Sequence, residues 1–227
     1  MTPPEPVGPD ATDAAAPAGH ERRWPATLAL AVAMGLYLVL PDPLIIGPRW
    51  VLPLLEALLA IPLLISNPDR RERDSGVLRT ISILLIALVS LANLVALALL
   101  VHNLFTGDVV DGNKLVRSAI ALWGTSLIVF GLWYWELDSG GPAVRHLRHA
   151  AHRDFLFPQQ ASPDVFPRGW TPSFVDYLYT SFTNSTAFSP TDTMPLTTWA
   201  KLLMMLQAAA ALVTIALVAA RAVNILS

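Results

Sequence analysis

Apolar residues in this chain come in unbroken blocks rather than in stripes one helix face wide. Five blocks stand out: 26–40 with an extension toward 46, then 50–65, 80–104, 116–135 and 198–221. A helix apolar on every side belongs in a core or a membrane, and a bilayer asks for about 20 such residues in a row. The third block is the longest, interrupted only by Ser82, Ser90 and Asn93 before His102 and Asn103. The first two are short. Pro41-Asp42-Pro43 and Gly47-Pro48-Arg49-Trp50 break them, so they read as two spans or as one interrupted helix lying partly in the interface. The fourth ends in Trp133-Tyr134-Trp135, the aromatic pattern of a headgroup boundary, and Arg22, Arg23 and Trp24 mark another. The fold class expected is all-α, a polytopic helical membrane protein with about five transmembrane helices.

One stretch breaks the pattern. Thr171-Pro172-Ser173 places a Pro at a plausible first helical position, and a short, moderately apolar helix follows through Tyr177, Tyr179 and Phe182. The chain then dissolves into hydroxyls, Pro190 and Asp192 before the last apolar block opens near Thr198. A short helix, a polar irregular segment and a full span, in that order, predict a re-entrant loop. Irregular backbone at membrane depth is tolerated only where protein or a water-filled cavity covers it.

This stretch resembles the pore region of potassium channels. Ser181-Phe182 and Thr186 match the end of the pore helix, and Asp192 matches the acidic residue closing the filter. Pro195, Thr197, Trp199, Ala200 and Lys201 match the entry to the inner helix. The segment is also similar to the C-terminal end of an uncharacterised family of bacterial multi-span proteins with a degenerate version of it. The resemblance covers residues 171–226. It implies that the fourth block is an outer helix and that the protein is an ion-channel-like homo-oligomer, fourfold by analogy. The departure is chemical. Where a potassium filter reads Thr-Val-Gly-Tyr-Gly, this chain reads Ala187-Phe188-Ser189-Pro190-Thr191. Both glycines are gone and Pro190 fixes its φ, so the backbone freedom that aims carbonyls at a potassium ion is lost. A pore-loop scaffold without a potassium-selective filter is the expectation. A non-conducting membrane scaffold or lipid-interacting protein that keeps the same fold is the alternative.

Composition agrees with the membrane reading. Of 227 residues, 54% are hydrophobic and 14% charged, where soluble domains carry about a quarter charged. The absence of cysteine removes disulfides and thiolate chemistry. No basic run suggests nucleic acid, no enzyme signature or catalytic residue emerges, and no cofactor or metal is implied. Residues 1–23 read as a disordered tail rich in Pro, Ala, Asp and Thr, too polar and acidic for a signal peptide. Residues 24–137 form a four-span region. Residues 138–171 form a connector, basic and His-rich and then Pro-rich, and 172–227 hold the pore-like segment and final helix.

Charge placement sets the orientation. The tail, the Arg70–Arg73 loop and the connector fall on one side, and Arg49, Lys114, Arg117 and Arg221 on the other. The positive-inside rule puts the first group, with the N-terminus, in the cytoplasm of a cell inner (plasma) membrane. A potassium-channel loop enters from outside, so the pore-like segment is expected as a local fold with inverted orientation.

The candidate residues follow. Thr186, Ala187, Phe188, Ser189, Pro190, Thr191 and Asp192 form the filter-like loop. Asp192 would be a fixed charge at its mouth and Phe188 a hydrophobic constriction, with inorganic ions as partners. Equally, the hydroxyls of this region satisfy one another, with Thr197 or Thr198 capping the last helix. Glu56 is a carboxylate inside an apolar block, either a functional group within the membrane or one reaching interfacial water. Asn93 and Gln207 are further polar positions within spans, and Gln207 is placed to bond across an oligomer axis. His146, His149 and His152 alternate with Arg145, Arg148 and Arg153 as a lipid-facing surface, a pH sensor or, with further ligands, a metal site.

Overall fold

The computed structural model describes residues 24–65, 71–106, 112–142, 145, 153–162, 164–166, 170–186 and 192–226. The N-terminal tail, Arg70, the three connector histidines and the loop residues 187–191 lie outside that set. Four helices come first: α1 (Trp24–Val39), α2 (Val51–Ile65), α3 (Arg71–Thr106) and α4 (Gly112–Leu137). A one-turn helix, α5 (Pro158–Ala161), lies in the connector, followed by α6 (Phe174–Thr186) and α7 (Thr198–Leu226). The all-α expectation needs one addition. Phe155–Leu156 (β1) and Met194–Pro195 (β2) form a two-residue antiparallel ladder, with Phe155 opposite Pro195.

Among the described residues, three helical stretches are long and apolar enough to cross a membrane: Gly76–Thr106, Asn113–Gly140 and Thr198–Ala220. The 36 residues of α3 reach roughly 54 Å, whereas α1 with 16 and α2 with 15 reach only about 22–24 Å. That is short of a hydrocarbon core of about 30 Å. The break between them has a physical cause. Pro41 and Pro43 end the helix in a 3-10 turn, Asp42–Leu44, and Gly47 takes a left-handed φ of 81°. Arg49 then folds back and donates to the carbonyls of Leu38 (3.2 Å) and Leu40 (2.9 Å). These are the carbonyls that α1 leaves orphaned at its end.

α4 is the hub, packing against α1, α3, α6 and α7. The buried face of α1 recurs at Ala26, Ala29, Leu30 and Ala33, a helical stripe of mostly small residues that lets the two backbones approach. At one end of the molecule these residues meet Leu85 and Ile86 of α3, Leu132 and Trp135 of α4, Phe174 of α6 and Met204 of α7. At the other end Leu40 and Leu44 meet Leu97 and Leu100 of α3 and Leu115, Ala119 and Leu122 of α4. The charges sort between the same two ends. Arg79 lies beside Gly141 at the first end, whereas Arg49, Lys114 and Arg117 belong to the second. The outward faces are apolar too: Leu28 and Val32, then Leu84, Leu91 and Leu94, then Leu202, Met205, Leu206 and Leu212 are exposed. Such surfaces suit contact with lipid or with further protein, not water.

Polar groups within the long helices are disposed of locally. Thr80, Ser90, Ser118 and Thr214 each donate to the carbonyl four residues back. Ser90 also accepts the indole N–H of Trp133 at 2.9 Å, tying α3 to α4.

Candidate functional site

α6 has 13 residues, roughly 20 Å, and cannot cross a bilayer. Pro172 precedes its first turn rather than occupying it. The cap is Ser173, whose backbone N–H (2.7 Å) and hydroxyl (2.8 Å) both donate to the Asp176 carboxylate, an acidic variant of the capping box. The helix lies against α4 at Gly131, where an added Cβ would sit 3.2 Å from the Leu178 Cα. The chain is next described from Asp192. By Thr193 it is again beside Thr180, the two hydroxyl oxygens 3.0 Å apart, about 9 Å back along the axis from Thr186. It then pairs with β1 and reaches Thr197 and Trp199 beside the start of α6. Thr193 thus lies beside α6, and α7 begins at the end from which α6 sets out.

Gln207 holds the middle of this hairpin. It is wholly buried, and its carbonyl oxygen accepts from the Tyr134 hydroxyl (2.5 Å) and the Asn184 amide (2.9 Å). Its own amide donates to the Ser181 carbonyl (2.9 Å) and hydroxyl oxygen (2.6 Å). The Ser181 hydroxyl donates to the Leu127 carbonyl of α4 at 2.7 Å, and Asn184 also donates to the Met204 carbonyl at 2.9 Å. All four hydrogen-bonding positions of Gln207 are used within one chain. The expected bond across an oligomer axis is therefore replaced by a node joining α4, α6 and α7.

A second network closes the end where α6 and α7 begin. Asp138 lies just past α4, where Ser139 (φ 55°), Gly140 (φ 86°) and Gly141 (φ 99°) reverse the chain. A side chain at Gly141 would be strained by its φ and would meet the Glu136 carbonyl at 3.0 Å. Asp138 Oδ1 accepts the backbone N–H groups of Asp154 (2.9 Å) and Phe155 (3.3 Å), and Oδ2 accepts the Tyr177 hydroxyl. The Arg145 Nε stands 3.7 Å from Oδ2, its guanidinium lies 4.8 Å from the Tyr177 ring centre, and its Nη2 donates to the Trp135 carbonyl. Asp154 reciprocates: its carboxylate accepts the Ser139 N–H (2.9 Å), the Thr197 hydroxyl (3.0 Å) and the Trp199 indole N–H (2.8 Å). Two carboxylates thus clamp each other's backbones, and the clamp fixes the connector, α6 and α7 together. Phe155 packs beside it, edge to face with Tyr177 and Trp199 and tilted against Tyr134.

Of the sequence-derived candidates, Thr186 ends α6, bonds back to the Thr183 carbonyl (3.0 Å) and lines an apolar cleft of about 440 Å³ between α4 and α7. Asp192 is exposed. Ala187, Phe188, Ser189, Pro190 and Thr191 fall outside the described residues. Thr197, considered as a cap for α7, instead gives its hydroxyl to Asp154. Glu56 is buried, and among the described residues neither carboxylate oxygen has a hydrogen-bond partner. The Asn93 Oδ1 is likewise buried without one. Glu56 and Asn93 lie outside the hairpin, and Gln207 lies at its centre. Among the described residues no group of three or more His, Asp or Glu is placed to hold a metal ion. Asp138, Asp154 and Tyr177 were not singled out as site residues from the sequence, and Arg145, expected on a lipid-facing basic surface, is instead buried beside Asp138. The available signal was a carboxylate three residues past an aromatic belt, answered by another 16 residues later. Comparison of the chain with protein-family models, curated proteins and solved structures found no match.

Proposed function

We propose that the protein is an oligomeric membrane protein of pore-loop type that passes small inorganic ions without potassium selectivity. The observation that carries this reading is the path of the chain: a helix too short to cross descends between α4 and α7, and the backbone returns beside it. That hairpin is what a re-entrant pore helix and its filter require, and it needs covering by further copies of the chain. A homo-oligomer, fourfold by the pore analogy, supplies the cover. It sits in an inner (plasma) membrane with the N-terminus and connector in the cytoplasm. Asp192 then lies at the mouth as a fixed negative charge that raises the local cation concentration.

The test is cation flux into liposomes reconstituted with purified protein, beside the oligomeric state in nanodiscs. Wild type should conduct, and Asp192→Asn should lower cation flux about two- to tenfold at low ionic strength while leaving the melting curve in place. Reproducible silence of the wild type, or a monodisperse monomer, sinks the reading. The second reading, a non-conducting scaffold, draws on a different observation. Thr180, Ser181, Thr183, Asn184, Ser185 and Thr186 all have hydrogen-bond partners within the chain. On that reading, substitutions along α6 shift melting only.

A further inference from the structure

Glu56 lies in a part of the molecule that the hairpin does not use. It is the sixth residue of α2, about 8 Å along the helix, and the one titratable residue in that helix. It is 1% exposed, and among the described residues both carboxylate oxygens lack a hydrogen-bond partner. A buried carboxylate left ionised with no partner is penalised by several kcal/mol, so the group must hold something positive. The choice is between a proton and a metal cation. Calcium asks for six to eight oxygens and magnesium for near-octahedral ligation. The α3 segment from Thr80 to Val101, which includes the stretch packed on α2, carries no titratable side chain. Among the described residues, the ionisable groups around Glu56 are Tyr37 of α1, within electrostatic range of both Glu56 and Arg49, and the Arg49–Asp42 pair beyond it. One carboxylate and a phenol cannot build a metal's shell. A proton needs only one oxygen.

The surroundings supply a route. An apolar cleft of about 320 Å³ opens between the end of α1, α2 and α3. Leu52, one turn before Glu56 on the same helical face, forms part of its α2 wall. Leu88 and Val95 line it from α3, and Tyr37 lines it from α1. Pro48 also borders the cleft, next to Arg49, whose 2.8 Å pair with the largely exposed Asp42 lies at the surface.

We propose that Glu56 is a proton-binding carboxyl within the membrane, exchanging its proton through the Tyr37 side of this cleft, next to the Arg49–Asp42 pair. The site is separate from the pore hairpin and does not depend on ion flux through it.

The hydrophobic reagent N,N′-dicyclohexylcarbodiimide tests this on the full chain in neutral-lipid nanodiscs, read by peptide mass mapping. The reagent requires the acid form: the carboxyl proton passes to a carbodiimide nitrogen while the carboxyl oxygen bonds to the central carbon. The expected result is an adduct on Glu56 of the wild type, with the labelling rate falling about tenfold for each pH unit on the alkaline side of its titration. Glu56→Gln should lose that adduct. A water-soluble carbodiimide should modify Asp42 and leave Glu56 unlabelled. The proposal is overturned by no Glu56 adduct anywhere between about pH 5 and 10, or by labelling that ignores pH across that range. Equal labelling by the water-soluble reagent also overturns it, because Glu56 would then sit in interfacial water. The decisive readings use the wild type, so they stand even if the Gln variant folds poorly.

Discussion

Gln207→Leu is the sharpest test of how the hairpin is held. Leucine has nearly the volume of glutamine, so the substitution leaves little cavity and the loss is one of hydrogen bonds. Three interhelical links disappear, to Tyr134, Asn184 and Ser181. Measured links of this kind between membrane helices average about 0.6 kcal/mol and reach about 1.7. Asn184 keeps the Met204 carbonyl and Ser181 keeps the Leu127 carbonyl. The Tyr134 hydroxyl loses the acceptor it donates to at a wholly buried position, a further cost of about 1 kcal/mol or more. The expected destabilisation is about 3 kcal/mol, or a fall in Tm on the order of 10 °C. Thermal unfolding in mild detergent measures it, with size exclusion on the same samples. A double-mutant cycle with Tyr134→Phe should return a coupling of about 0.5 kcal/mol or more, because the two residues share one bond. Two results would refute the reasoning. One is melting unchanged from wild type. The other is an oligomer that falls apart while the protomer melts as before, which would place the Gln207 partner in a neighbouring subunit.

Gly131→Ala should cost about 1–3 kcal/mol, because the new methyl meets the Leu178 backbone and α6 must move off α4. Gly124→Ala is its control: the methyl there meets only the end of the Leu36 side chain, at 3.3 Å, so its melting point should stay close to wild type, and a larger loss than at Gly131 would contradict the packing. Asp138→Asn should lower stability by about 3 kcal/mol, since it removes the negative charge 3.7 Å from the Arg145 Nε and turns an amide N–H₂ or a single acceptor toward Tyr177; a melting curve overlaying wild type would show that the clamp contributes nothing.

The helices were legible because hydrophobicity in blocks is a strong signal, and their ends were not because hydrophobicity stops before the helix does. α3 begins at Arg71, nine residues ahead of the apolar block, through charged residues of which Arg and Glu are good helix formers. α7 likewise runs past Arg221 to Leu226. The start of α6 shows the opposite case. Pro172 suggested a first turn, yet the signal that fixed the end was Ser173 with Asp176 three residues later, a local pair that periodicity ignores. The β1–β2 ladder had no signature at all, because two residues are too few to show alternation and their pairing is set by the Asp138–Asp154 clamp.

The site was legible as a list of residue types and not as a set of partners. Gln207 stands out in an apolar run, but its partners lie 73, 23 and 26 residues away, on faces that meet only after α4, α6 and α7 have packed. The same limit applied to the hydroxyls of α6. Read along the chain, so many polar groups near membrane depth ask for water. Read in three dimensions, Thr180, Thr183, Ser185 and Thr186 bond to carbonyls of their own helix, and Ser181 and Asn184 tie it to its neighbours. Their presence is therefore accounted for by folding alone, and it no longer argues for a wet path. The proposed conduction then rests on Asp192, which is exposed. Asp192→Asn read by flux and Gln207→Leu read by melting therefore test two separate things, the proposed permeation and the packing of the hairpin.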